Sequence, residues 1–216
     1  MFKAAIFDLD GTLLNTIEDL ANASNYALRI NGFNEHKIDD YKTFVGNGAY
    51  VLIQRILPQE HRSKENIDKV FSDFDYYYGL HMNDNTKPYT GIIELLDKLK
   101  SAGIKTAVVS NKPHQFTKEI ISRYFDDKID FVYGKREGYN TKPDPTTVLE
   151  VVNLFNLNKD EIIYIGDSNV DMATAENAGL QSVGVSWGFR SVEELEEAGA
   201  DFIAYDVDNL EKIIME

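Results

Sequence analysis

Lys3-Ala4-Ala5-Ile6-Phe7-Asp8-Leu9-Asp10-Gly11-Thr12 opens the chain with an unbroken apolar run that stops at two acids and a glycine. The run over residues 3–8 shows no polar alternation, the pattern of a strand buried on both faces of a parallel sheet. Similar runs follow at residues 105–110, 131–133, 162–166, 182–185 and 202–204. Helical patterns separate them at 91–102, 114–124, 145–155, 170–178, 192–197 and 210–215. Strands alternating with helices predict an α/β core, a doubly wound, Rossmann-like parallel sheet with helices on both faces.

One segment breaks the alternation. Between the first strand and the run at residue 105 the patterns at 16–30, 48–57 and 64–81 are helical, and none is strand-like. Asn31-Gly32 ends the first and Pro58 the second. Residues 83–88 are polar and end on a proline, which reads as a linker. The spacing predicts an α-helical cap over residues 15–86, inserted into a core made of residues 1–14 and 87–216.

The chain has 216 residues, enough for one core with a small lid. Its formal net charge of −14 argues against nucleic acid and anionic membranes as partners. It would also repel an anionic substrate at long range, so any phosphate site must be a local positive pocket of backbone N–H groups, a metal and a few cations. There is no cysteine, which excludes disulfides and thiolate chemistry. No signal peptide or membrane-length apolar stretch stands out, and the expectation is a cytoplasmic enzyme, monomer or homodimer.

Chemistry-bearing residues fall at strand ends, where doubly wound folds bind ligands. Asp8 and Asp10 are spaced so that one can attack phosphorus while the other donates and then accepts a proton; read blandly, they are an acidic turn. Gly166-Asp167-Ser168-Asn169-Val170-Asp171 follows another apolar strand and adds two acids. Four converging carboxylates imply a hard divalent cation with oxygen ligands. The same residues would also cap a helix, with Ser168 or Asp167 at the N-cap and Asp171 in the first turn. Ser110-Asn111-Lys112 offers a hydroxyl and N–H groups before a helix, although alone it reads more simply as a cap. Lys142-Pro143-Asp144-Pro145 offers a point charge on stiffened backbone, although most lysines are solvated.

The ordered set is more specific than its parts, and the chain resembles the haloacid dehalogenase superfamily of aspartate-nucleophile hydrolases. Within it, Asp8-Leu9-Asp10-Gly11-Thr12-Leu13, Phe44-Val45-Gly46-Asn47-Gly48, Ser110-Asn111-Lys112-Pro113, Lys142-Pro143-Asp144-Pro145 and Gly166-Asp167-Ser168-x-x-Asp171 are most similar to phosphoglycolate phosphatases. The resemblance implies a phosphatase acting on a small phosphorylated metabolite, 2-phosphoglycolate for choice. Asp8 would be the nucleophile and Asp10 the acid and base. Mg²⁺ would sit on Asp8, the Asp10 carbonyl and Asp167, with Asp171 as a ligand or acting through water. Thr12, Ser110, Asn111 and Lys142 would hold the phosphoryl group. A sugar-phosphate mutase or a pyrophosphatase shares these motifs. A phospho-accepting signalling domain is disfavoured because its acceptor follows a later strand. Asn15 stands where close relatives often carry an aspartate, which bears on substrate choice. Asn47 and Gly48, at a helix start, could meet a second anion of the substrate; a loop with an asparagine cap is the plainer reading. Arg190 is expected at the rim, and the Tyr76-Tyr77-Tyr78 run as lid packing or a lid–core contact.

Overall fold

Ala4–Phe7, the apolar run that opens the chain, forms strand β1 and is buried along its whole length. The computed structural model describes residues 1–216. The chain continues through β2 (Leu14–Asn15), α1 (Ile17–Ile30), α2 (Tyr41–Phe44), α3 (Ala49–Ile56), α4 (Lys64–His81) and β3 (Lys87–Pro88). Then come α5 (Ile92–Ser101), β4 (Lys105–Pro113), α6 (His114–Tyr124), β5 (Phe131–Lys135), α7 (Thr146–Phe155) and β6 (Ile162–Gly166). The last elements are α8 (Asn169–Ala178), β7 (Gln181–Val185), α9 (Val192–Glu197), β8 (Phe202–Ala204) and α10 (Val207–Met215).

The main sheet has six parallel strands in the order β5-β4-β1-β6-β7-β8. Side chains alternate across it. Ala5 and Phe7 join the apolar cluster that holds Leu96 of α5, Ile120 of α6 and Leu210 of α10. Ala4 and Ile6 join the cluster that holds Val151 of α7 and Ala175 of α8. With both faces covered, each strand can be apolar throughout, which is why the runs lacked alternation.

The structure departs from the sequence reading in particular places. β2 and β3 form a two-residue antiparallel ribbon, Leu14 with Pro88 and Asn15 with Lys87, where the chain leaves the sheet and returns. Strands that short leave no periodic signal. β4 does not stop at Ser110. It runs to Pro113 and regains pairing with Lys135 after a register shift, so Ser110, Asn111 and Lys112 lie on extended backbone. Ser110 and Asn111 therefore do not cap α6, whose N-cap is Pro113. The helical pattern that opens at residue 145 starts one residue later in the structure, with Pro145 as the N-cap of α7.

Helices α1 to α4 lie between the two strands of the ribbon, and α4 packs on α1 and α3. Asp19 of α1 ties this segment to the returning chain. Its buried carboxylate accepts hydrogen bonds from the Asn85 N–H (3.0 Å), Asn85 Nδ2 (2.9 Å), the Thr86 N–H (2.8 Å) and Thr86 Oγ1 (2.8 Å). No cation faces it, so these donors alone compensate its charge. Asp19→Ala should strand buried N–H groups and lower the unfolding free energy by about 2–3 kcal/mol in urea melts. A loss under about 0.5 kcal/mol would show that the ribbon closes without this clamp.

Candidate active site

Parallel pairing on both sides of β1 brings the carboxyl ends of β1, β4 and β6 to one edge of the sheet. Asp8 leaves β1 there, with its N–H on the Ile165 carbonyl at 2.8 Å. Gly11 turns the chain back with a φ of 94°. A Cβ at Gly11 would stand 2.2 Å from Asp167 Oδ2, and one at Gly188 would stand 2.2 Å from the Asp167 Cβ. Only glycine leaves room for Asp167 between these two turns.

Three buried carboxylates, Asp8, Asp167 and Asp171, place oxygens within 4.8 Å of one another. Lys142 is the ammonium among them. Its Nζ lies 2.6 Å from Asp8 Oδ1, 2.7 Å from Asp171 Oδ1 and 3.2 Å from the Tyr164 hydroxyl. Lys142 is 6% exposed, so it is no surface lysine. Burial works against its charge, but Asp171 and Asp8 outweigh that and hold its pKa well above the ordinary lysine range. Burial pushes the Asp8 carboxyl up to about 7. Lys142 pulls it down, while Asp171 and Asp10 push it further up. Asp167 is raised well above the carboxylate range by burial, then by Asp171 and Asp8.

Three anions with one ammonium leave this buried cluster negative, and a hard divalent cation suits such a donor set. Asp8 and Asp167 have the more open oxygens. Asp167 accepts the Phe189 N–H at 2.7 Å and a long contact of 3.5 Å from the Thr12 hydroxyl. Asp171 is occupied on both sides, by Lys142 on one oxygen and by the Ser168 N–H (3.1 Å) and Oγ (2.6 Å) on the other. Ser168 and Asp171 thus form the capping box of α8 while Asp171 anchors Lys142.

A cavity of about 60 Å³ adjoins this cluster. Asp8, Asp10, Ser110 and Asp167 border it from the sheet; Gly48, Phe74 and Tyr78 border it from the inserted helices. Ser110 Oγ accepts the Lys112 N–H at 3.2 Å and keeps its own proton free to donate. The Asn111 amide is fully engaged. It accepts the Lys142 N–H at 2.8 Å and donates to the Lys142 carbonyl at 3.2 Å and the Gly46 carbonyl at 3.0 Å. Asn111 therefore fixes Lys142 and reaches across to the inserted segment.

The remaining expected residues divide. Gly48 is the N-cap of α3, at a φ of 87°, and lines the cavity. The Asn47 side chain neither caps that helix nor borders the cavity; its Oδ1 accepts from Arg55 at 2.7 Å. Arg190 borders the cavity and donates to the Val45 carbonyl at 2.9 Å, a bond from the sheet to the inserted segment. Tyr78 packs edge-on against Phe116 of α6, a contact between the inserted helices and the rest of the chain, whereas Tyr76 is 68% exposed.

Some residues escaped the sequence reading. Tyr164 looked like one apolar residue among strand neighbours. The Trp187-Gly188-Phe189-Arg190 loop after β7 stands out in the sequence only for Arg190; in the structure the Trp187 indole donates to the Thr12 carbonyl at 3.1 Å. Asp75 borders the cavity from α4, with its carboxyl pKa raised by burial. In the sequence Lys112 belongs to its motif and is, with Arg190, an alternative seat of substrate selectivity should the Gly46-Asn47-Gly48 loop not supply it. Its Nζ lies 2.8 and 3.1 Å from the two Asp10 oxygens.

The model of the haloacid dehalogenase-like hydrolase family matches residues 5–185. A phosphoglycolate phosphatase from Psychrobacter arcticus is 34% identical over 89% of this chain and 86% of its own length. One from Vibrio cholerae is 32% identical over 99% of this chain and 97% of its own. Among solved structures, a candidate phosphoglycolate phosphatase from Lactobacillus delbrueckii subsp. bulgaricus superposes with a TM-score of 0.94 at 35% identity, covering 99% of this chain and 98% of that one.

The charge excess has a consequence for stability. Asp8 and Asp167 bind protons more tightly folded than unfolded, so without metal their contribution falls as pH rises from about 4, the unfolded value, through 7. In EDTA, Asp167→Asn should be more stable than the unsubstituted protein at pH 8, by about 1 kcal/mol or 2–4 °C in Tm, and equal to it near pH 4.5. Magnesium at pH 8 should raise the Tm of the unsubstituted protein and not that of Asp167→Asn. A pH-independent difference would show that the carboxylates do not compete.

Proposed function

The chain belongs to the haloacid dehalogenase-like hydrolases and is a phosphatase, and we propose that it hydrolyses 2-phosphoglycolate through an aspartyl-phosphate on Asp8. The observation that carries this reading is the cavity itself. It joins a buried strand-end carboxylate, a second carboxylate two residues on and a free hydroxyl to a small space closed by inserted helices. The named activity of similar proteins supports the substrate.

The chemistry divides into two displacements. Asp8 attacks phosphorus through a carboxylate oxygen, and the bond from phosphorus to the ester oxygen breaks. Asp10 gives its proton to the departing alkoxide. Water then attacks the same phosphorus, Asp10 takes its proton, and the bond to Asp8 breaks to release inorganic phosphate. The Ser110 hydroxyl borders the same cavity as Asp8 and would meet an oxygen of the transferring group, while Lys142, bonded to Asp8 and Asp171, balances charge from behind Asp8. Asp8, Asp167 and the Asp10 main-chain carbonyl would hold Mg²⁺, with Asp171 behind them, and the ion would supply positive charge to offset the repulsion between Asp8 and the phosphate. Residues 15–86 act as the cap that excludes water and shapes the leaving-group space.

Asp8→Asn should fold and lose at least about three orders of magnitude in kcat, since an amide does not attack phosphorus. Beryllium fluoride with magnesium should add its trifluoride at Asp8 in a crystal; finding it on another carboxylate would refute the assignment. EDTA should abolish turnover, magnesium should restore it, and calcium should not, since its larger and looser coordination misplaces the nucleophile. In a panel of phosphate esters, 2-phosphoglycolate should give the highest kcat/KM.

A further inference from the structure

Two cations border the cavity, Lys112 and Arg190. Arg190 is committed to the Val45 carbonyl and, at 3.2 Å, to Glu194. Lys142 is spent between Asp8 and Asp171. Lys112 is different. Its side chain is 3% exposed, and its one anionic partner is Asp10. An ammonium has three donors. Here the Asp10 oxygens take two, and beside them the ammonium faces the ring of Tyr78, 4.9 Å from its centroid. Tyr78 belongs to the inserted helix α4, and its hydroxyl has no hydrogen-bond partner although it is buried. The cation is thus screened from water by the inserted helix and borders the cavity, and the nearby Tyr78 hydroxyl and the cavity share the donor capacity that Asp10 leaves.

Position adds the second part. In the proposed reaction Asp10 must come within about 3 Å of the leaving oxygen. Lys112 Nζ lies 2.8 Å from Asp10, so the ammonium stands within roughly 6 Å of that oxygen. A carboxylate one carbon beyond the ester oxygen spans about half of this and leaves a normal hydrogen-bond length for the rest. Asp75, the acid on the cap wall of the cavity, has no hydrogen-bond partner and would repel such a group.

We propose that Lys112 is a specificity-determining residue, whose ammonium takes a second anionic group one carbon from the ester oxygen, so that the enzyme selects phosphorylated short carboxylic acids over neutral esters. Asp10 is its partner when no substrate is bound, and the Tyr78 ring completes the site only when the cap lies on the core. The inference rests on the phosphatase reading above and deepens it. A desolvated cation discriminates strongly, because a neutral ester leaves it without the second anion.

The test compares 2-phosphoglycolate with ethyl phosphate, which keeps the chain length and removes the carboxylate. In Lys112→Met both rates should fall, because Asp10 loses its partner. The kcat/KM for 2-phosphoglycolate should fall at least about thirtyfold further, mainly through KM, and Lys112→Arg should recover part of the preference. Parallel losses on both esters would overturn the proposal, leaving Lys112 a positioning residue for Asp10, and so would no change in their ratio. A measurement on the unsubstituted enzyme needs no variant to fold. There kcat/KM should decrease from 2-phosphoglycolate to ethyl phosphate to phosphoethanolamine, and a flat or reversed order overturns the proposal. If p-nitrophenyl phosphate and all three esters are inert with magnesium present, the phosphatase reading itself fails, and this inference with it.

Discussion

One ammonium between two carboxylates holds the site together. Lys142 joins Asp8 at the end of β1 to Asp171 in the first turn of α8, and Tyr164 hydrogen-bonds the same Nζ from within β6. All four groups are buried. Removing one partner from a buried ionic set leaves a charge that nothing nearby compensates, so the set stands or falls together. Asn111 then fixes the main chain of Lys142 on both its N–H and its carbonyl, and its amide reaches the Gly46 carbonyl of the inserted segment. The position of the lysine is thereby linked to the position of the inserted segment.

Crowding carboxylates at a sheet edge needs space as well as charge. Gly11, Gly166 and Gly188 each leave a gap that a Cβ would fill, the first and last against Asp167 and the second against Asp171. Three glycines from three separate loops or strands therefore serve two aspartates. A methyl at Gly188 would meet Asp167 backed by the Gly11 carbonyl, neither of which is a flexible chain end. The Phe189 N–H bond to Asp167 depends on the same turn, so the loop after β7 is part of the acidic site although it carries no acid of its own.

Much of this was legible in the sequence, because a buried parallel strand must be apolar on both faces and the acids that follow it are conspicuous. Asp8, Asp10, Asp167 and Asp171 stand out that way, and the structure gathers three of them, Asp8, Asp167 and Asp171, while Asp10 pairs with Lys112. Lys142 was found only through its neighbours, since nothing about a single lysine reports that it is buried. The reading failed where geometry is set by distant partners. β2 and β3 exist because two chain crossings lie side by side, not because Leu14-Asn15 has a pattern. β4 passes Ser110 because it regains pairing with β5, which local composition does not encode. Asn47 sits between two glycines that border the cavity, with its own side chain turned to Arg55, and a sequence does not report rotamers. Tyr164 and Tyr78 were invisible as polar groups because each stands in a run that packing alone explains.

The formal charge of −14 sets a constraint that the site must meet at close range. Beyond a Debye length of about 8 Å the surface charge is screened and contributes little to the approach of a phosphate ester. Inside that range the ester meets Asp8, Asp10 and Asp167 first, which are repulsive unless offset. Open to water, two lysines would offset them weakly, because their fields would be damped by solvent. Enclosure changes the balance. With Tyr78 laid over Lys112, with Arg190 and Asn111 holding the loop from Val45 to Gly48, and with Lys142 sealed behind Asp8, each cation acts through protein rather than water. An acidic protein can offset such repulsion at close range only where its cations are enclosed. The inserted helices are accordingly part of the electrostatics of the site as much as of its shape.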